Sequence, residues 1–589
     1  QLDAHLCRKV AAPSVQAPVA GIDLPASASA ALAQLLASLQ LSNETTQTTC
    51  TSSGVDASHA LWSVLEEILP GVSPDSPLME AGLDSLGAVE MRNRLATRLG
   101  DAYEVPETLI FDFPTARQLD AHLCRKVAAP SVQAPMAGID LPASAALAEL
   151  LASLQPTKVS PSSPEMTRAT QNLMVPGLSC QNPGYARSLS DYGRVICSGH
   201  DLVGQVPSFR WNVSQATRNL PDSVAWRCRF AGFVLQAECF DAKNFSVAPA
   251  EAAAMDPQQR LVLECGYASF HQAALVRQEL SGNVVGVFLG ISASDFEHIL
   301  IMTPAGSSVY AATGSSHSIA CGRVSYTFGL HGPCASYDTA CSAALTAFHG
   351  GARASQSLEC TSALAAGINL ILTPGAGTAF AIAGLTSSNG RSHTFDRRAD
   401  GYARADASCA SVLRRNESTQ SLAVSGSAVR QDGRSASLTA PSGQAQQGLL
   451  HATFADAKVT TMEVNTFEAH GTGTSLGDPI ETGSLAALSD THSISTRMFS
   501  VGGVKANIGH AEPSAGMTGL LKAAIVMHYN LSGPNAQLRT TNPHVRSALR
   551  AVMCTLPAQM CIGRYGNNIG SSSFGYSGTI VSVVLTIAD

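Results

Sequence analysis

The chain has 589 residues, 45% hydrophobic and 14% charged, which is ample for packed cores and argues against wholesale disorder. At that length about two to four domains are expected. A formal net charge of −7 excludes the basic footprint of a nucleic-acid or anionic-membrane binder. The 15 cysteines form no Cys-x-x-Cys pair and no regular framework, which reads as reduced thiols in a cytoplasmic protein rather than disulfides.

Residues 1–19 recur almost letter for letter at 118–136. A period that long signals duplicated domains rather than a solenoid. The chain therefore divides into the tail of one unit (1–18), an Ala/Pro/Ser-rich linker (19–55), a complete second unit (56–127), a near-identical linker (128–165) and a large remainder (166–589). Both ends read as cuts within a larger assembly. Each linker carries Ala-Leu-Ala-(Gln/Glu)-Leu-Leu-Ala-Ser-Leu, a short helical pattern inside a semi-flexible tether.

In the complete unit, Leu61, Val64, Leu65, Ile68 and Leu69 recur at helical spacing and end at Pro70-Gly71. After a polar loop, Gly82-Leu83-Asp84-Ser85-Leu86 opens a second helix through Val89, Met91 and Leu95. A last short helix follows at 117–124, giving a small all-α bundle. Locally, Ser85 is either an exposed group at a helix start or an ordinary cap.

In the remainder, the β-branched and aromatic residues of 322–329 read as a strand leading to the Gly332-Pro333 turn. Ala344, Leu345, Phe348 and Ala352 then recur at helical spacing, so Cys341 falls near the first turn of a helix that follows a strand. Unpaired amides and the helix dipole there favour a nucleophilic thiolate. The long apolar stretch 363–385 contains Asn369, Pro374 and several glycines, so it reads as a strand, turn and helix, not a membrane span. Further on, His470 and His510 sit in glycine-rich turns. One cysteine with two distant histidines is a nucleophilic constellation, although a buried cysteine is by itself an ordinary apolar filler.

The motifs DTACSAAL, EAHGTGT and VKANIGH, in that order, resemble the three signatures of the β-ketoacyl synthase domain of modular polyketide and type I fatty acid synthases. The resemblance is continuous over 166–589. The stretch DSPLMEAGLDSLGAVEMRNRL resembles the acyl carrier protein of the same synthases. This implies a small four-helix carrier bundle, followed by an α/β thiolase-like fold with five layers, α-β-α-β-α, that forms a homodimer. It further implies 4′-phosphopantetheine on Ser85, with no metal and no nucleotide. Cys341 would hold the acyl chain, and His470 and His510 would stabilise an enolate through Nε2.

By the same resemblance, Lys505 would tune the site, with a surface lysine as the bland alternative. Thr472 and Thr474 would bind the pantetheine arm. Asp478, Asn507 and Glu512 would hold loops near the site, and Phe574 would gate the cysteine or simply fill the core. Partners would be acyl- and malonyl-carrier thioesters, with acyltransferase and phosphopantetheinyl transferase supplied elsewhere. Three departures leave a degenerate, non-condensing domain as a rival, and a fatty acid synthase fragment as another. Ala405-Asp406-Ala407 stands where the family has Gly-Glu-Gly, Pro176 interrupts a first strand, where it deletes a ladder hydrogen bond unless the strand is at an edge, and Thr579-Ile580-Val581-Ser582 replaces Thr-Asn-Ala-His.

Overall fold

The computed structural model describes residues 57–78, 113–127, 172–416, 422–488, 499–550, 552–562 and 566–587, with single positions between 81 and 109. In the carrier unit, α1 (Ala57–Ile68) buries Leu61, Val64 and Leu65, the apolar stripe of the sequence pattern. Gly71, at φ 74, takes the left-handed turn that follows Pro70. Helix α2 (Ala116–Val127) closes a core shared by Leu61, Leu65, Met91, Leu95, Leu119 and Leu123. Each fully buried leucine contributes roughly 1.5–3 kcal/mol, so these few side chains hold the unit together. Two of the four expected helices are described end to end; the repeat tail and both linkers lie outside the described residues.

From residue 172 the chain builds an eleven-stranded sheet. In chain order the strands are β1 (Asn172–Gln181), β2 (Val285–Gly290), β3 (Cys334–Tyr337), β4 (Ser362–Asn369), β5 (Ala407–Asn416), β6 (Leu422–Gln431), β7 (Val464–Glu468), β8 (Phe499–Gly502), β9 (Cys554–Thr555), β10 (Asn568–Phe574) and β11 (Thr579–Ile587). The order β3-β2-β4-β5-β1 makes one half, with pairings parallel, parallel, antiparallel and antiparallel. From β8 inward, the order β8-β7-β10-β11-β6 repeats that series, with β9 added at its edge. The halves meet where Leu173 and Met174 of β1 pair with Val424 and Ala423 of β6. The fold is a tandem of two similar α/β units.

The helices supply the other layers. On the first half, α3 (Pro257–Gln272) and α4 (His317–Phe328) cover the outer face. Between the halves lie α5 (Ala343–Gln356) and α8 (Ala515–Tyr529), which contact each other and both halves of the sheet through Leu345, Phe348, Met517 and Leu520. On the second half, α6 (Gly443–Ala457) and α7 (Gly477–Ala486) cover the far face. This is the five-layer thiolase-like arrangement that the sequence implied.

The middle layer sits tight because glycines face it. A Cβ on Gly290 would lie 2.3 Å from the Ala344 nitrogen, and one on Gly367 would lie 2.5 Å from the Ala344 Cβ. Gly290→Ala is therefore expected to destabilise the protein by about 1–3 kcal/mol or more, the cost of an overpacked core. Thermal unfolding of the full chain checks this, and an unchanged midpoint would count against it.

One expectation needs correction here. Residues 322–328 are helical, not extended: they fall in α4, which ends at Gly329 with φ 68. Buried Ala320, Cys321, Val324 and Phe328 keep a helical period, and that period outweighs the β-branched composition. The strand before Cys341 is β3, beyond the Gly-Pro turn. Pro176 is not at an edge, since β1 lies between β5 and β6; the proline falls at a bulge, where pairing shifts between Met174 and Gly177. The buried Asp406 carboxylate accepts from Arg210, Val234 N and Ile371 N. Ser582 is buried in β11 and bonds Ser572 at 3.1 Å. The stretch 363–385 is β4 followed by a loop and a helix, Gly375–Ile382. Among the described residues no helix is long and apolar enough to cross a membrane.

Candidate active site

Cys341 sits where β3 turns into α5. Asp338 Oδ1 accepts from the Ala340 amide at 3.1 Å, and Ala340 takes a left-handed φ of 53, which throws the next side chain inward. Ser573 Oγ donates to the Cys341 carbonyl at 2.8 Å, so the second half of the fold fixes the Cys341 backbone of the first. Gly575 allows this close approach, because a Cβ there would be 2.3 Å from the Thr339 carbonyl oxygen.

The expected thiolate is not what this environment favours. Cys341 is 8% exposed, and burial pushes its thiol up to about 12, with the Glu512 carboxylate adding to the rise. A helix N-terminus contributes only about 0.3–1 kcal/mol, less than one pKa unit, and cannot offset desolvation of that size. Alkylation of Cys341 in the resting protein is therefore expected to rise about tenfold per pH unit between about pH 7 and 9, following the thiolate fraction. Peptide mass spectrometry after iodoacetamide pulses measures this; a plateau near pH 8 would contradict it.

His470 follows β7. Glu481 on α7 accepts from the His470 and Gly471 amides at 2.7 and 2.8 Å, and Gly471 and Gly473 hold φ of 47 and 75 to complete the turn. His510 is held on the other side. Its amide donates to the Ala403 carbonyl at 2.7 Å, and its carbonyl accepts from Ala405 N at 2.8 Å. His510 Nε2 lies 3.1 Å from Cys341 Sγ.

The tautomers follow from the hydrogen bonds. Phe574 N donates to His470 Nδ1 and Glu512 N to His510 Nδ1, each at 3.3 Å. A ring nitrogen that accepts a backbone N–H carries no proton, so in both neutral rings the proton is assigned to Nε2. Burial, then the Lys505 charge, holds both imidazoles well below their usual pKa, so neither is protonated near neutrality. The rings stand 5.5 Å apart at 86°. His510 Nε2 thus lies beside the sulfur, with the neutral ring of His470 next to that of His510.

Lys505 is buried, and burial lowers its pKa while the carboxylates of Glu468, Glu481 and Asp478 oppose the fall. Glu468 also pairs with Lys522 at 2.7 Å. Asp478 accepts from Phe395 N and Gly473 N at 2.7 and 3.0 Å, tying two loops together, and burial pushes its pKa up to about 6. Thr472 and Thr474 are half-buried, with hydroxyls 3.2 Å apart, a pair of donors and acceptors suited to an amide-bearing arm. The Phe574 ring lies 5.4 Å from that of His470. Asn507 stands apart from this group: its Nδ2 donates to the His200 carbonyl and its carbonyl accepts from Leu202 N. Ser85 lies outside the described residues.

Sequence reasoning did not single out Glu481, Arg404, Ser573 or Tyr402. Glu481 lies in the quoted LGDPIE motif, yet nothing local shows that it receives the His470 amide. Tyr402 places its ring 4.9 Å from His510 at 81°. Among the described residues no group of three His, Cys, Asp or Glu side chains is arranged to hold a metal.

Comparison with known proteins identifies both parts of the chain. Residues 170–419 match the β-ketoacyl synthase N-terminal domain, 422–539 its C-terminal domain, and 59–123 a phosphopantetheine attachment site. The pikromycin polyketide synthase component PikAII of Streptomyces venezuelae is 35% identical over 86% of this chain and 13% of its own length. Polyketide synthase GfsB of Streptomyces halstedii is 34% identical over 87% of this chain and 9% of its own. The chain thus spans only a small fraction of these relatives. Among solved structures, the ketosynthase from module 6 of the bacillaene synthase of Bacillus subtilis 168 has a TM-score of 0.64 at 28% identity, covering 71% of this chain and 72% of that one. An oxazolomycin ketosynthase domain of Streptomyces albus JA3453 gives 0.66 at 28% identity, covering 71% and 74%. With both halves of the synthase fold matched, and a carrier domain matched ahead of them, the chain belongs to the β-ketoacyl synthases of modular polyketide synthases.

Proposed function

We propose that Cys341 accepts an acyl chain from a carrier thioester and that the site then joins it to a malonyl-type unit by decarboxylative condensation. The observation that carries this reading is His510 Nε2 at 3.1 Å from the Cys341 sulfur, with the His470 ring 5.5 Å from that of His510. In the first step Cys341 Sγ forms a thioester and its proton ends on the departing thiol. In the second, loss of CO2 from the malonyl thioester leaves an enolate whose charge grows on the thioester oxygen. Donors already aimed at that oxygen stabilise the charge without reorganisation, the largest single catalytic effect such a site offers. The enolate carbon attacks the acyl carbonyl, and Cys341 leaves as a thiolate and regains a proton.

Phosphopantetheine, attached to Ser85, supplies the thiol on which such acyl groups travel. Thr472 and Thr474 hold its amides, Lys505 biases the charge of the cluster, and Phe574 screens the sulfur. Asp478, Asn507 and Glu512 keep the surrounding loops in place. The reading includes a five-part domain division, a homodimer, for which β3 at the end of its half-sheet offers an open edge, a cytoplasmic setting, and extender loading by an acyltransferase supplied elsewhere.

The test is to phosphopantetheinylate the full chain, supply an acyl thioester and a malonyl carrier, and follow both domains by peptide mass spectrometry. A β-ketoacyl group on the carrier is expected, together with loss of the phosphopantetheine mass in Ser85→Ala. A folded protein that is never acylated would favour the non-condensing alternative, which rests on the three departures.

A further inference from the structure

His510 can donate toward the sulfur only if its proton sits on Nε2, and the amide that its Nδ1 accepts from bears on that. Arg404 is 6% exposed and opens a two-residue strand, Arg404–Ala405. Its guanidinium grips Glu512 with both arms, Nε to Oε1 at 2.5 Å and Nη2 to Oε2 at 2.8 Å. A bidentate fork of this kind fixes orientation as well as distance. Glu512 meanwhile holds a left-handed φ of 46, a conformation a glutamate keeps only when its surroundings enforce it. In that conformation its amide turns back onto His510 Nδ1. The Arg404 segment also brackets the His510 backbone, through Ala403 and Ala405.

On its other side, Arg404 borders an apolar cavity lined by Trp211, Phe230, Ile371 and Pro374, and its Cζ lies 5.3 Å over the Phe380 ring. Arg404 and Glu512 are both buried, and away from water a carboxylate and guanidinium hold each other most firmly. Were the Glu512 amide to swing away, Nδ1 could take the proton. Nε2 would then face Cys341 with a lone pair, and a donor would become an acceptor.

We propose that Arg404 is a positioning residue for His510: its grip on Glu512 holds the amide that keeps the imidazole proton on Nε2, facing Cys341. This rests on the condensing reading above and adds a residue that touches neither sulfur nor substrate. The test uses the full chain carrying phosphopantetheine, with Arg404→Gln, Arg404→Lys and the double variant Arg404→Gln/Glu512→Gln. The double variant leaves no unpaired buried charge, so it guards against simple failure to fold. Condensation kinetics are measured beside the 15N spectrum of histidine-labelled protein, which distinguishes the two tautomers.

Arg404→Gln and the double variant are expected to lower kcat about 100-fold, the effect of losing one oxyanion donor, with KM for the malonyl carrier unchanged. The Nδ1–H tautomer of His510 should appear, and Arg404→Lys should restore part of the rate. A folded Arg404→Gln or double variant with native kcat and the Nε2–H tautomer overturns the proposal. Unfolding of every variant also overturns it, since the role would then be structural. A wild type that makes no β-ketoacyl product, but whose His510 tautomer still responds to Arg404→Gln, sinks the condensing reading and leaves the positioning role standing.

Discussion

Replacing Cys341 by alanine is expected to end acylation of the ketosynthase and, with it, product formation. The side chain is nearly buried, and the Cys341 backbone is fixed from both halves of the fold, by Ser573 Oγ on its carbonyl and by the left-handed Ala340 before it. Truncation therefore removes a sulfur without freeing the turn. Deleting a catalytic nucleophile costs roughly 10⁶-fold in rate, which here means no product above background. Intact mass after incubation with an acyl thioester separates the outcomes: wild type gains the acyl mass on the peptide containing residue 341, and Cys341→Ala gains none. The thermal midpoint of the variant should stay near that of the wild type. Continued acylation of this domain in Cys341→Ala would place the nucleophile elsewhere.

What the sequence made legible, and what it did not, follows from how far each partner lies along the chain. Cys341, His470 and His510 stand in short contiguous motifs, so their neighbours alone mark them. The first carrier helix was readable because five apolar residues keep one period, and that period is the face it buries. The Arg404–Glu512 pair spans 108 residues, and neither half shows its partner locally. The bulge that accommodates Pro176 belongs to the β1–β5 ladder, so it is visible only when β5 is in place. The protonation of Cys341 was misjudged for a similar reason. The helix start is a local feature, whereas the burial that outweighs it comes from the second half of the fold, where Ser573, His510 and Glu512 reside. Residues 322–328 failed differently: composition favoured a strand, but the spacing of Ala320, Val324 and Phe328 already carried the helix.

The two histidines should not behave alike when removed. Each presents an Nε2–H fixed by a backbone donor on Nδ1, so loss of either is expected to slow condensation by about 10²–10³-fold, the usual consequence of deleting one oxyanion donor. His510 alone contacts the sulfur, at 3.1 Å, and so it also acts when Cys341 is acylated. His470→Ala should therefore keep the acylation rate and lose the condensation rate, whereas His510→Ala should lose both. Single-turnover acylation, followed by addition of malonyl carrier to the preformed acyl-enzyme, measures the two steps apart. Equal effects of both substitutions on acylation would refute the division of labour. The same geometry sets a pH signature. Burial lowers both imidazole pKa values well below 6.5, so their donor protons are those of neutral rings, and a second proton is taken up only at pH well below that value. The condensation rate should accordingly show no histidine-like fall between about pH 7 and 6, since an ordinary histidine titrates near 6.5. A half-maximal rate near pH 6.5 that vanishes in His470→Ala or His510→Ala would show that the ring titrates in that range, and that its environment is wetter than this packing provides.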